Sequence, residues 1–111
     1  MENGMETARI DPTKRIAASP EVIAEFCRRH RIRRLSLFGS ILRKDFGPAS
    51  DVDVLVEFEP GGVPGFFELV GMKEELSGIL GREVDLKTPN ALSPYFREQV
   101  LREALLLHDL A

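Results

Sequence analysis

Two short polar motifs at the ends of apolar runs constrain this chain more than any other feature. Gly39 and Ser40 close the apolar run 35–38, and Asp51 and Asp53 open the next one, with ten residues between the motifs. In a β-strand the two aspartates share one face, with their Cα atoms roughly 6.5–7 Å apart. Two carboxylates so placed repel each other and resist burial unless a cation lies between them. Because Mg²⁺ prefers oxygen ligands, this pair predicts a magnesium site.

A third aspartate extends the prediction. Asp85 lies in a later apolar segment, between Val84 and Leu86, which point to the opposite face of a predicted strand. A third carboxylate allows a second metal ion about 3.5–4 Å from the first, an arrangement used for in-line displacement at phosphorus. Asp85 on its own could equally be a solvent-exposed strand residue.

The Gly39-Ser40 pair is suited to an anion. Glycine lets the backbone approach a bulky group closely, and the pair precedes a predicted short helix, 40–45, whose free amides favour phosphate. Ser40 adds a hydroxyl donor, and Arg43 adds a guanidinium that can bind phosphate oxygens in a fork. The chain contains neither GxxxxGK[ST] nor GxGxxG, so this is not a Walker A or dinucleotide-binding loop. A Gly-Ser pair is usually a turn and an Asp-x-Asp pair usually faces solvent, so the combination carries the prediction.

The periodicity of apolar residues predicts an α/β (α+β) domain with a small sheet flanked by helices. The elements alternate as helix, strand, short helix, strand, helix, strand and helix. Besides the short helix, we expect helices from Ser19-Pro20, over Phe66–Leu80 and from Ser93-Pro94 through Leu107, and strands at 35–38, 51–58 and 83–87. This pattern leaves open which strands run parallel.

Length and composition limit the domain organisation and the partners. We expect a flexible arm at residues 1–16, which have little apolar periodicity, followed by one domain at 17–111. The net charge of −3 argues against a broad nucleic-acid-binding face. No apolar run approaches ~18 residues, and the polar N-terminus lacks the core of a signal peptide. With Cys27 as the one cysteine, we expect a cytoplasmic protein with no internal disulfide and no membrane partner.

Three segments carry a resemblance to a known family. They read LFGSILRKDFGPASDVDVLVEFEPG, LGREVDLKTP and LSPYFREQVLREALLL. Together they resemble the minimal nucleotidyltransferases of the DNA polymerase β-like superfamily, and within it the bacterial MNT antitoxins that pair with HEPN-domain toxins. The resemblance implies a palm-like sheet, two Mg²⁺ ions and transfer of a nucleoside monophosphate from a nucleoside triphosphate to an acceptor hydroxyl.

The resemblance also implies roles for individual residues. Asp51 and Asp53 would hold the metals and the triphosphate, and Asp85 would complete the second metal site and help to deprotonate the acceptor. The β- and γ-phosphates would be held by the residues of the Gly-Ser motif and the arginine that follows it, namely Gly39, Ser40 and Arg43. Ser50 matches the serine that often precedes the first aspartate in the family, although its hydroxyl could also cap the turn. Leu42 and Lys44 depart from the family pattern without removing a metal ligand.

The acceptor is expected to come from a partner. About 95 residues form the catalytic module, which leaves little chain for recognising a substrate. In the antitoxin group the acceptor is a tyrosine of the HEPN toxin, which receives AMP from ATP. Two alternatives stay open: a small-molecule nucleotidyltransferase, and a non-catalytic antitoxin that masks its partner by binding.

Overall fold

The computed structural model describes residues 11–110 and shows a mixed α/β fold with a four-stranded sheet. This architecture confirms the predicted fold class. Its three α-helices are α1 (Pro20–Arg29), α2 (Phe66–Leu80) and α3 (Pro94–Glu103). Its four strands are β1 (Ile32–Phe38), β2 (Val52–Phe58), β3 (Val84–Lys87) and β4 (Leu105–Asp109).

The sheet is mixed, with the strand order β3-β2-β1-β4. Strand β1 runs antiparallel to both β2 and β4, whereas β2 and β3 run parallel. Two parallel neighbours need a crossover connection, and α2 supplies it. The two strands that carry the aspartates are therefore adjacent and point the same way.

Local sequence signals explain where the helices begin and end. The Ser19 hydroxyl accepts a hydrogen bond from the Val22 amide at 3.3 Å, and the Ser93 hydroxyl accepts one from Tyr95 at 3.3 Å. In both helices a proline follows the capping serine, as expected at a first helical position. Helix α2 ends at Gly81, which has a left-handed φ of 73°. The predicted starts of α1 and α3 and both ends of α2 are confirmed.

The main core lies between one face of the sheet and helices α1 and α2. Val52, Val54 and Val56 of β2 are fully buried in this core, as their alternation predicted. Helix α2 contributes Met72, Leu76 and Leu80 to this core, whereas its Phe66 and Val70 side chains are exposed.

The opposite face of the sheet is covered in part by α3. A smaller cluster there consists of Phe38, Leu55 and Leu92, with Val100 and Ala104 packed against it. Leu55 shares this face with Asp53, because residues two apart in a strand point the same way. The face that carries the aspartate is therefore shielded on one side by a helix.

The prediction that the last helix continues through Leu107 is wrong. Helix α3 ends at Glu103, Ala104 is extended, and Leu105–Asp109 forms β4 on the edge of the sheet beside β1. Helical apolar spacing continued into this segment, but pairing with β1 satisfies its backbone and buries part of its leucines. Tertiary pairing here overrides a local helical pattern.

Strand β1 begins at Ile32 rather than at Leu35. Arg34, which precedes the predicted strand, therefore lies in β1. It pairs with Glu57 of β2 at 3.7 Å and with Asp109 of β4 at 3.5 Å. Both acids are its register partners across the sheet, so cross-strand charge pairing accounts for the longer strand.

The predicted arm at residues 1–16 falls largely outside the described residues, which begin at residue 11. Residues 12–15 form one 3₁₀ turn, Ile16 packs against the main core, and the Ala17 amide donates to the Leu80 carbonyl at 3.0 Å. The described end of the predicted arm therefore lies against the domain, while the boundary at residue 17 stays a prediction.

No helix within residues 11–110 combines the length and the apolar character needed to cross a bilayer.

Candidate active site

The parallel pairing of β2 and β3 brings two of the predicted aspartates side by side. Asp53 and Asp85 are Cα partners in the register of these strands. Directly opposed residues in a sheet project to the same face, so the two carboxylates are neighbours. Sequence spacing alone did not determine this register. The structure shows that Asp85 is the residue beside Asp53.

Gly39 lies directly against this pair. Its φ of +77° is in the left-handed region, and a Cβ atom built on it would stand 2.1 Å from the Asp53 Oδ2 atom. The preceding residue, Phe38, is the register partner of Asp53 across the antiparallel β1–β2 pair. Only glycine combines this backbone conformation with such a close approach, so the end of β1 and the carboxylate of β2 form one unit.

The electrostatics of the site centre on Asp53. Burial raises the pKa of the Asp53 carboxyl, and the negative charge of Asp85 raises it further; Lys87 opposes this rise, Asp51 adds to it, and Arg43 opposes it weakly. Lys87 lies 3.1 Å from Oδ2 and 3.2 Å from Oδ1 of Asp85. The carboxylates therefore repel one another, and a lysine at the edge of the group offsets part of their charge.

Lys87 was not identified as a site residue from the sequence. It lies two residues after Asp85 in a four-residue strand, so both side chains share one face. Opposite charges two residues apart in a predicted strand were a signal that could have identified it.

The remaining predicted residues are arranged less tightly. Asp51 precedes β2 and is exposed, although its charge acts on Asp53. Ser40 is half-buried in the turn that follows β1. Arg43 is exposed, with its Nε atom 3.8 Å from Asp45. The Ser50 hydroxyl accepts a hydrogen bond from the Gly47 amide at 3.1 Å, which is the turn-capping role.

The short helix predicted at 40–45 is shorter than expected. A four-residue 3₁₀ turn, Gly39–Leu42, takes its place, and Arg43 is already extended. A single turn aligns few peptide dipoles, so the phosphate-binding capacity of this segment rests on its side chains and individual amides. Leu42 packs against the core, and Lys44 is exposed.

A cleft of about 690 Å³ opens beside this turn. Gly39, Leu42 and Arg43 line one wall, and residues of α3 including Phe96 and Gln99 line the other. A cleft of this size falls in the range that holds small molecules and cofactors. Two of the candidate phosphate-binding residues, Gly39 and Arg43, therefore border a cleft rather than a flat surface.

The described side chains of the site match Mg²⁺ in donor type but are not gathered into a complete ligand set. Among residues 11–110, no three His, Cys, Asp or Glu side chains are grouped so that they could hold a metal ion. The donor chemistry fits nevertheless, because adjacent carboxylates that raise one another's pKa are relieved by a hard cation. The two-ion arrangement stays a prediction.

The chain has relatives among known proteins. The model of the nucleotidyltransferase domain family matches residues 19–107. A candidate protein adenylyltransferase of Methanocaldococcus jannaschii is 40% identical over 77 residues, covering 69% of this chain and 81% of that protein. Protein adenylyltransferase MntA of Thermococcus cleftensis is 35% identical over 81 residues, covering 73% and 80%.

Solved structures show the same fold. A candidate minimal nucleotidyltransferase matches with a TM-score of 0.64 at 40% identity, covering 78% of this chain and 86% of that chain. A toxin–antitoxin complex with AMP-PNP matches with a TM-score of 0.66 at 20% identity, covering 82% and 73%. An MNT antitoxin complex with a tri-AMPylated HEPN toxin of Shewanella oneidensis matches with a TM-score of 0.58 at 21% identity, covering 81% of this chain and 69% of that chain. The last two comparisons concern the fold alone.

Proposed function

The chain belongs to the nucleotidyltransferase domain family, and we propose that it is a Mg²⁺-dependent protein adenylyltransferase acting as an antitoxin. In this proposal it transfers AMP from ATP to a tyrosine hydroxyl of a HEPN-domain toxin and thereby neutralises that toxin. Support comes from relatives named as protein adenylyltransferases and from neighbours that are toxin–antitoxin complexes, one with an ATP analogue and one with an AMPylated toxin. The cytoplasmic location stays a prediction.

One structural observation carries the proposal: Asp53 and Asp85 are side by side, with Gly39 directly against Asp53. Carboxylates that repel one another favour a bound cation, and the glycine beside them leaves room for a phosphate. The same arrangement would serve little purpose in a surface that only binds a protein. It therefore favours phosphoryl chemistry.

The reaction assigns a task to each group. The acceptor oxygen bonds to the α-phosphorus of ATP, the bond from that phosphorus to the bridging oxygen breaks, and pyrophosphate leaves. Asp85 takes the proton of the acceptor hydroxyl, while Lys87 balances its charge before substrate binds. Asp51, Asp53 and Asp85 would hold Mg²⁺, which supplies charge neutralisation at the phosphates. Ser40 and Arg43 would bind the β- and γ-phosphates.

Transfer of AMP changes the partner by simple physical means. The new group is bulky and anionic, and it carries strong hydrogen-bond acceptors. Placed on a tyrosine beside an RNA-cleaving site, it would repel the phosphate backbone of the RNA and block access.

Label transfer tests the proposal. The purified chain is incubated with Mg²⁺, α-phosphate-labelled ATP and either host lysate or, where the genome encodes one beside this gene, the purified HEPN protein. We expect one labelled protein band with wild type and none with Asp53→Asn. The matched control, Asp109→Asn on the opposite edge strand, should label as wild type does. Failure of wild type to label any acceptor while it binds the partner would overturn the enzymatic proposal.

A second candidate, masking without catalysis, is favoured by one observation: the Asp85 carboxylate is already paired with Lys87. In that case wild type and Asp53→Asn would bind and inhibit the toxin equally, with or without ATP. Inhibition that depends on ATP and on Asp53 would exclude masking as the sole mechanism.

A further inference from the structure

We propose that Arg15, Phe46 and Arg82 form a clamp that positions the segment 39–51, and that this clamp sets the affinity of the site for nucleotide. This segment connects β1 to β2 and carries Gly39, Ser40, Arg43, Ser50 and Asp51. The inference about affinity rests on the proposed function, whereas the inference about the segment's geometry stands on its contacts. The three residues are called the Phe46 clamp below.

The segment needs support from outside itself. After the short turn at Gly39–Leu42, residues 43–51 contain neither helix nor strand. A local turn joins the Ser50 amide to the Gly47 carbonyl at 3.0 Å. A segment with few regular backbone bonds samples many conformations unless other contacts restrict it. A nucleotide site built on such a segment would pay that ordering cost on binding.

Arg15 restrains the first half of the segment. Its Nη1 atom donates to the Ile41 carbonyl at 2.9 Å and to the Arg43 carbonyl at 2.6 Å. These bonds flank Leu42, which lines the cleft. Because a peptide unit is planar, holding a carbonyl also fixes the direction of the amide that follows it. Arg15 therefore controls how the backbone faces the cleft.

Arg82 restrains the second half. Its Nη2 atom donates to the Gly47 carbonyl at 2.6 Å and to the Ser50 carbonyl at 2.9 Å. The backbone carbonyl of the next residue, Glu83, accepts a hydrogen bond from the Val52 amide at 2.8 Å. The connection from α2 to β3 thus holds the chain on both sides of Asp51, which is the first of the metal-site candidates.

Phe46 joins the two arginines. The guanidinium carbon of Arg82 lies 4.4 Å from the centre of the Phe46 ring, and that of Arg15 lies 5.2 Å from it. The ring itself is half-buried and packs against the main core. Both distances are within the range of cation–π attraction. One aromatic ring of the segment thereby anchors both of the side chains that hold its backbone.

The described chain offers a matched control for this arrangement. Arg97 also donates to several backbone carbonyls, those of Pro89 at 2.8 Å and Leu92 at 3.0 Å among them. It holds the connection before α3 rather than the segment 39–51. Removing Arg97 costs a similar set of hydrogen bonds but leaves the Phe46 clamp intact.

Two measurements on the full chain test the proposal: amide hydrogen exchange of residues 40–51, and affinity for AMP-PNP with Mg²⁺ by calorimetry. In Arg82→Ala and Arg15→Ala we expect the amides of Arg43 and Ser50 to exchange at least about tenfold faster and AMP-PNP to bind at least about tenfold more weakly. Arg97→Ala should lose thermal stability without either change. Phe46→Tyr should keep both properties, and Phe46→Leu should lose them in part.

The outcomes separate this inference from the proposed function. Unchanged exchange of residues 40–51 in Arg82→Ala and Arg15→Ala would overturn the clamp, whatever the protein does with nucleotide. Faster exchange with unchanged AMP-PNP affinity would overturn its role in binding. If wild type binds no AMP-PNP, the proposed function fails, and the hydrogen exchange still decides whether the clamp holds the segment.

Discussion

Gly39 is the residue at which backbone conformation and site chemistry meet. Alanine at this position would face a left-handed φ, which costs about 1–2 kcal/mol, and its Cβ would stand 2.1 Å from the Asp53 carboxylate. We expect Gly39→Ala to lower the transfer rate by a factor of ~10² or more, since displacements near 1 Å can cost that much. Rate measurements under single-turnover conditions check this.

The control for Gly39→Ala is a glycine without such constraints. Gly78 lies on the exposed side of α2, and a Cβ there would meet nothing within 4 Å. Gly78→Ala should leave the transfer rate unchanged and raise the free energy of unfolding by about 0.4–1 kcal/mol. Equal rates in the two variants would remove Gly39 from the site.

Cys27 is a second residue whose environment fixes its chemistry. Burial raises the pKa of its thiol to about 12, and its side chain is fully buried in the main core. Because the thiolate is the reactive form, we expect the native protein at pH 8 to react with a thiol reagent only as fast as it unfolds. Absorbance assays with and without denaturant measure this, and fast native labelling would contradict the described core.

At the scale of elements, α1 and α2 are joined by a charged cluster. Glu75 of α2 accepts a hydrogen bond from Arg29 at 2.5 Å, and its other oxygen lies 2.8 Å from the His30 Nε2 atom. The bond from Arg29 lowers the pKa of the Glu75 carboxyl; slight burial opposes this, and His30 adds to the lowering.

The pH dependence of stability follows from that lowered pKa. The contribution of Glu75 is complete above the ordinary carboxyl pKa and is lost as the pH falls through the lower pKa of the folded state. Because the pair is partly exposed, we expect less than about 1 kcal/mol. Denaturant titrations of wild type and Glu75→Gln should converge in acid and differ near neutral pH, with Glu74→Gln as the control. A constant difference down to strongly acidic pH would contradict this linkage.

Local sequence signals account for some elements of this fold and not for others. Strand β2 and helix α2 could be predicted because β-branched alternation, a glycine cap and helical spacing act locally. Strand β4 could not, since Leu105–Asp109 has no β-branched residue and becomes a strand only through pairing with β1.

The candidate site divides in the same way. Asp51, Asp53 and Gly39 stand out from local spacing, whereas the adjacency of Asp53 and Asp85 depends on the register of two strands that are distant in sequence. Arg15 and Arg82 gave no local signal at all. Their contacts to the segment 39–51 join residues that are distant in sequence, through the N-terminal turn and the connection that follows α2.

At the scale of the whole molecule, the proposal makes stability depend on ligand. A ligand that binds only the folded state adds about 2.7 kcal/mol at 100 times its Kd. We therefore expect AMP-PNP with Mg²⁺ to raise the Tm by several degrees, and chelation of the metal to remove most of that rise. Thermal melts of wild type and Asp53→Asn measure this. If AMP-PNP raises the Tm of wild type and of Asp53→Asn by the same amount even when the metal is chelated, the nucleotide binds outside the aspartate site.

The central claim is that Asp53 and Asp85 act as one unit beside Gly39 in transferring AMP to a hydroxyl. The most direct test is a double-mutant cycle on the single-turnover rate of label transfer, with Asp53→Asn, Asp85→Asn and both together. We predict that each single change lowers the rate by ~10³ or more and that the double variant is hardly slower than either, because residues acting as a unit are non-additive. An Asp85→Asn variant with the wild-type rate, or losses that multiply in the double variant, would contradict the account.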